Sequence, residues 1–157
     1  MELTRYRFLT TWRLEAPLAE VYEAIHGVER WPEWWRGVES VEKLDAGEDG
    51  GVGSVYRQRW RSVLPYTIEF DVETTRVEPL AALEGRASGG LAGTGRWAFA
   101  SADGTTAVTY AWDVRTTKPW MKLASPVARP VFAWSHNTVM RWGGESLAAL
   151  LGVRLLS

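Results

Sequence analysis

Residues 130–151, PVFAWSHNTVMRWGGESLAALL, decide how the rest of the chain is read. Phe132, Val139, Met140, Leu147 and Leu150 recur at helical intervals, which predicts a helix burying one face. About twenty residues at roughly 1.5 Å each make a rod about 30 Å long, enough to cross a small domain. Two members of the stripe do not suit an ordinary core. His136 is polar, and Gly143, followed by Gly144, costs roughly 1 kcal/mol per glycine relative to alanine inside a helix. An inward Gly143 predicts close approach of the helix backbone to whatever it covers, the other reading being a hinge. Pro126 and Pro130 are expected to break the segment ahead of the helix. Lys118 to Ala128 then reads as a separate short helix or turn, with Trp120 and Met121 placed to form a lid.

The stretch that precedes the helix reads mostly as strand. Tyr6, Phe8, Trp12 and Leu14 alternate with Arg5, Arg7 and Arg13, a half-buried strand. Pro17 suits a helix start, and Leu18, Val21, Tyr22 and Ile25 form a helical stripe ending at Gly27, with His26 as a partly exposed residue of its last turn. Trp31-Pro32-Glu33-Trp34-Trp35 predicts a second, short helix whose indoles wedge the pair against a sheet. Val38 to Leu44 alternates, and Asp45 to Gly53, with four glycines, is a loop.

Ser54 to Arg61 and Tyr66 to Val77 form the clearest pair. Tyr56, Gln58 and Trp60 oppose Arg57, Arg59 and Arg61; Tyr66, Ile68, Phe70 and Val72 oppose Glu69, Asp71 and Glu73. Joined by a turn at Leu64-Pro65, they predict an antiparallel hairpin whose wet face sets arginines against carboxylates. Leu80 to Ala87 is a weaker strand. Gly89 to Gly93 lacks the lysine or following helix that a phosphate-cradling loop requires. Gly95, Trp97 and Phe99, then Val108, Tyr110, Trp112 and Val114, alternate on either side of Asp103-Gly104, a strong hairpin signal. Strands this closely spaced form an antiparallel meander, and with one long helix to cover it the sheet must curve around that helix.

Composition narrows the function. The 157 residues suit one domain, 1–157, with a proper core. A net charge of −1 without a basic run excludes a nucleic-acid footprint. No stretch is long and apolar enough to span a membrane, and Met1 to Leu14 does not read as a signal peptide. The expectation is a cytoplasmic protein of unspecified oligomeric state. There is no cysteine, and two isolated histidines provide no metal-ligand set, so no metal or other cofactor is expected. G-x-S-x-G and dinucleotide fingerprints are also missing. Ten tryptophans remain to be explained. They either fill an aromatic core or partly line a pocket.

The chain resembles the helix-grip superfamily of START-like and Bet v 1-like domains, in the branch of polyketide cyclase/dehydrase-like proteins. The likeness rests on Val21-Tyr22-Glu23-Ala24-Ile25 leading into Trp31-Pro32-Glu33-Trp34-Trp35, on Gly51-Val52-Gly53-Ser54-Val55-Tyr56, and on Gly93-Thr94-Gly95-Arg96-Trp97. Trp134-Ser135-His136-Asn137 and Met140-Arg141-Trp142-Gly143 complete it. The resemblance covers nearly the full length. It implies an α+β helix-grip fold: a curved antiparallel sheet of six to seven strands around a long C-terminal helix, with two short helices after the first strand. It further implies an apolar cavity between sheet and helix for a small hydrophobic, aromatic or lipid-like molecule. Lipid carriers, hormone receptors and cyclases share the fold, and the branch supplies no catalytic motif to carry over.

The inward faces nominate the lining as Trp12, Tyr56, Gln58, Trp60, Phe70, Trp97, Phe99, Tyr110, Trp112, His136 and Met140. Mostly apolar walls with a few polar groups are the usual make-up of such a pocket; the alternative is that these rings fill the space. His136 has two readings. It bonds a neighbour and supports packing, or it meets a ligand and, in a cyclase or dehydratase, acts as general acid/base. Gln58 and Tyr110 could share either role.

Overall fold

A computed structural model describes residues 5–62, 67–116 and 125–156. Its elements run β1 (Arg5–Leu14), α1 (Leu18–His26), a 3₁₀ turn (Val28–Arg30), α2 (Trp31–Trp34), β2 (Val38–Asp45), β3 (Val55–Arg61), β4 (Thr67–Glu78), β5 (Ala82–Gly89), β6 (Leu91–Ala102), β7 (Thr105–Thr116) and α3 (Ser125–Leu151). All seven strands join one antiparallel sheet in the order β1-β7-β6-β5-β4-β3-β2. The Leu64-Pro65 turn, Tyr66, and the lid residues Trp120 and Met121 lie outside the described residues.

Alternation sets the two faces. Along β1, Tyr6, Trp12 and Leu14 are buried while Arg7, Leu9, Thr11 and Arg13 are exposed. Asp103 and Gly104 both take the left-handed conformation, with φ of 52° and 79°, as a tight hairpin turn requires. The outer face carries the charge pairs. Arg57 meets Asp71 through two bonds of 2.9 and 3.2 Å. Arg59 and Arg61 instead lean toward Glu39 on the neighbouring strand, at 3.6 and 3.7 Å. Such exposed pairs contribute about 0–1 kcal/mol each, so they mark the wet side more than they hold the sheet together.

The long helix corrects two expectations. It has 27 residues and runs through Pro130 instead of beginning there. Pro126 falls in the first turn, where proline is tolerated, and Pro130 forfeits a single backbone bond to a first-turn carbonyl. The separate element expected over Lys118 to Ala128 therefore does not exist from Ser125 onward. Leu150, placed on the inward stripe, is 51% exposed. The turn after Leu147 closes on Leu151, four residues on, which packs against the core in its place.

Gly143 and Gly144 are where the helix comes down on the sheet. A Cβ at Gly143 would stand 2.5 Å from Trp35 and 2.7 Å from Trp12. The same two indoles clamp the backbone: Trp12 Nε1 donates to the Met140 carbonyl at 3.0 Å and Trp35 Nε1 to the Val139 carbonyl at 3.1 Å. The close approach expected at Gly143 thus has a concrete form, and Trp31 and Trp35 act as the expected wedge.

Burial is divided between two clusters. One lies under the C-terminal half of α3 and gathers Trp12, Leu14, Val21, Ile25, Trp31, Trp35, Val108 and Leu147. The other gathers Tyr6, Phe70, Leu91, Trp112, Val114 and Phe132. Trp60 and Tyr110 pack against both.

Candidate functional site

Because the sheet curls, side chains on strands that are not neighbours in its order meet across the interior. At one end Trp60 of β3 and Trp97 of β6 both pack on Trp31, each with centroids 6.1 Å away, and on Trp35, at 5.0 and 6.2 Å. At the other end Phe70 of β4 stands 5.7 Å from Trp112 of β7. Between these bridges the two walls part, and a cavity of about 440 Å³ remains, with α3 supplying Phe132, Ser135, His136, Val139 and Met140. That size falls in the range of small-molecule pockets, roughly 300–1,000 Å³.

Tyr56, Gln58, Trp60, Phe70, Trp97, Tyr110, Trp112, His136 and Met140 line this space. Trp12 and Phe99 do not. Trp12 is spent on the helix clamp, and Phe99 packs edge-on against Tyr22 of α1 at 5.2 Å. Both point to the face expected of them, but to a part of it already filled, for Trp12 by Trp35 and the α3 backbone and for Phe99 by α1.

The wall also holds residues not anticipated from the strands. Ile25, Val28, Trp31 and Trp35 come from the helical segment, and Lys43, Glu48, Gly50, Gly51 and Ser54 from the β2–β3 region. Gly50 and Gly51 have φ of 92° and 101°, which lets the loop turn tightly at the cavity rim. Lys43 ties this rim together, bonding Glu29 at 3.0 Å and standing 5.8 Å over the Tyr56 ring. Glu29 hydrogen bonding raises the lysine's pKa and keeps it charged. Exposed His26 stacks on Tyr22 beside this rim and also lines the space. Ser135 could have been found from the sequence: it precedes His136 on the inward side of the helix.

The polar groups of the interior are few. Gln58 is buried, and its side-chain carbonyl accepts from Trp60 Nε1 at 3.0 Å. Tyr110 stacks on Trp97, centroids 4.0 Å apart, and burial pushes its phenol pKa up, so it stays a neutral O–H donor. His136 lies flat on Phe8, 3.9 Å between centroids, with Nδ1 3.5 Å from the Asn137 side-chain oxygen. Burial among these rings lowers its pKa to about 4, against a smaller opposing effect from Asn137. The imidazole is therefore neutral at pH 7, able to accept a proton or a hydrogen bond at Nε2. Among the described residues, no cluster of three or more His, Asp or Glu is placed to hold a metal ion. No helix among them is long and apolar enough to cross a membrane.

An open antiparallel sheet gripping one long terminal helix, with a ring-lined hollow between them, defines a helix-grip protein. Comparison by sequence agrees and narrows the class. The family described as "Polyketide cyclase / dehydrase and lipid transport" matches residues 14–141, so the chain belongs to that family. No curated protein matches the sequence. Among solved structures, the ZhuI aromatase/cyclase from Streptomyces sp. R1128 superimposes with a TM-score of 0.77 at 15% identity, with 94% of each chain covered. A START superfamily protein from Mycobacterium smegmatis gives 0.75 at 12% identity, covering 93% of this chain and 97% of its own. The di-domain ARO/CYC BexL of the BE-7585A biosynthetic pathway gives 0.73 at 21% identity, covering 97% of this chain and 52% of its own. At these identities the likeness establishes the fold and leaves the ligand open.

Proposed function

We propose that this protein binds a small hydrophobic molecule, aromatic or lipid-like, in the cavity between the curled sheet and α3. The observation that carries the reading is the space itself. A chain with ten tryptophans keeps about 440 Å³ open between two walls of rings, although those rings touch at both ends. Protein interiors are otherwise close-packed, and emptiness lowers stability through forfeited contacts. Filling the hollow with a flat apolar guest restores them. Trp60, Trp97 and Trp112 supply faces for that guest, and Met140 adapts to its outline.

Native mass spectrometry of the purified protein tests this. The expected result is a retained small molecule, or uptake of one guest per chain from a mixed pool of apolar compounds. A chain that stays bare in both trials would contradict it.

A second reading has one observation in its favour. The His136 imidazole lines the cavity in its neutral form, the form a general base in a cyclisation or dehydration needs, with a basicity that burial reduces below that of a free imidazole. It would serve as general acid only after taking up that proton. This reading requires turnover of a polyketide-like substrate that falls at least tenfold in His136→Ala with guest binding retained; an unchanged rate would remove it.

A further inference from the structure

Buried polar hydrogens rarely go unused, because a donor withdrawn from water without a partner carries its full desolvation penalty. Two residues that line this cavity hold such donors. The Tyr110 hydroxyl has no hydrogen-bond partner among the described residues, nor does the side-chain amide nitrogen of Gln58, whose carbonyl is occupied by Trp60. They stand on facing walls, since Gln58 is tied to Trp60 on β3 and Tyr110 is stacked on Trp97 on β6, and both tryptophans pack on Trp31. The placement of Tyr110 is built in. Gly95 lies directly beneath it, and a Cβ there would come 2.7 Å from the hydroxyl oxygen and 2.9 Å from the Trp112 ring. A side-chain-free position in mid-strand, which weakens a strand, is what allows the phenol to reach that point.

The charges of the wall are elsewhere. Lys43 and Glu48 are exposed. Lys43 is bonded to Glu29, and Glu84 is held by Arg76 at 2.8 Å. Among the described residues that line the cavity the one lysine, Lys43, is thus already paired, and a carboxylate moved against Tyr110 would lose its hydration without a free cation to compensate.

On the ligand-binding reading above, we infer that the cavity selects an uncharged guest carrying a carbonyl or ether oxygen, with Tyr110 and Gln58 as donors to it and Gly95 as the residue that positions Tyr110. Ser135 on α3 can give or accept, and neutral His136, with Nδ1 against Asn137, accepts at Nε2, so neither selects a guest that only accepts. Gln58 discriminates because its carbonyl is taken by Trp60 and its amide nitrogen can only donate, and the Tyr110 hydroxyl, although its oxygen can also accept, satisfies its own hydrogen only against an acceptor.

Three rigid probes built on one ring skeleton separate the possibilities: fluorene, 9-fluorenone and fluorene-9-carboxylate, each titrated into the full chain by quenching of tryptophan fluorescence. Fluorenone is expected to bind tighter than fluorene, and the carboxylate most weakly. Tyr110→Phe should weaken fluorenone by roughly 3- to 10-fold, the worth of one hydrogen bond, and leave fluorene unchanged. Gln58→Met, melting checked alongside, should act in the same direction. Equal binding of fluorene and fluorenone, unaffected by either substitution, would overturn this inference while leaving the ligand-binding reading intact. Failure of all three probes to saturate would overturn both.

Discussion

At the scale of single residues, Gly143 and His136 carry the most testable consequences. Alanine favours a helix over glycine by about 1 kcal/mol, yet at 143 its Cβ would meet two indoles that are themselves hydrogen-bonded to the helix backbone. Overpacking of this kind costs about 1–3 kcal/mol, occasionally more. Gly143→Ala is therefore expected to be net destabilising in urea unfolding, against its propensity gain; a more stable variant would show that the clamp yields. His136 has a folded-state pKa lowered to about 4 from 6.5. Between those values the unfolded chain binds a proton that the folded chain does not, so stability falls as pH drops through that window and the residue contributes no slope above it. His136→Gln should flatten the pH 4–6.5 limb of a melting profile and leave the profile above pH 7 unchanged. Gly143 was legible in the sequence because a helix that spends its inward face on glycine does so to bring its backbone close to a neighbour or to bend. The Leu150 placement failed because a stripe can continue by three or four residues, and only contact with α1 and the sheet decides between them.

At the scale of elements, the strands were read well because the outer face is charged: Arg57 and Asp71 point to water, so Gln58 and Phe70 point in. Alternation fixes the face of a side chain and says nothing about what else occupies that face. Trp12 and Phe99 show the gap, since Trp35 and α3 cover the one and α1 the other while Trp97 and Tyr110 border open space. Trp97 should separate from the surface residues in experiment. Trp97→Ala removes the stack on Tyr110 and the contacts to Trp31 and Trp35. In urea unfolding it is expected to cost about 3 kcal/mol, near the lower end for aromatic truncation, because one side of the ring already borders a hollow. Arg57→Ala, by contrast, should cost under about 1 kcal/mol and leave guest binding unchanged. The start of the long helix was not legible, because Pro130 by itself signals a break, whereas here the carbonyl whose bond it forfeits belongs to the first turn of a helix that begins at Ser125.

At the scale of the whole molecule, the curl of the sheet creates the site. Neither wall is complete alone, since β3 and β4 face β6 and β7 across the gap and α3 roofs it. The element order announced this architecture, and the family match over 14–141 agrees with it. Whether the hollow was open was not legible, because the same aromatic residues can fill a core or line a cavity, and the difference depends on how far the sheet bends. The most direct test is a titration with 1-aminoanthracene, a neutral fluorescent probe of about the right breadth. The account predicts saturation at one probe per chain with a blue-shifted emission, and displacement by 9-fluorenone. A linear, non-saturating rise, or saturation at several probes per chain without displacement, would show that the interior admits no guest.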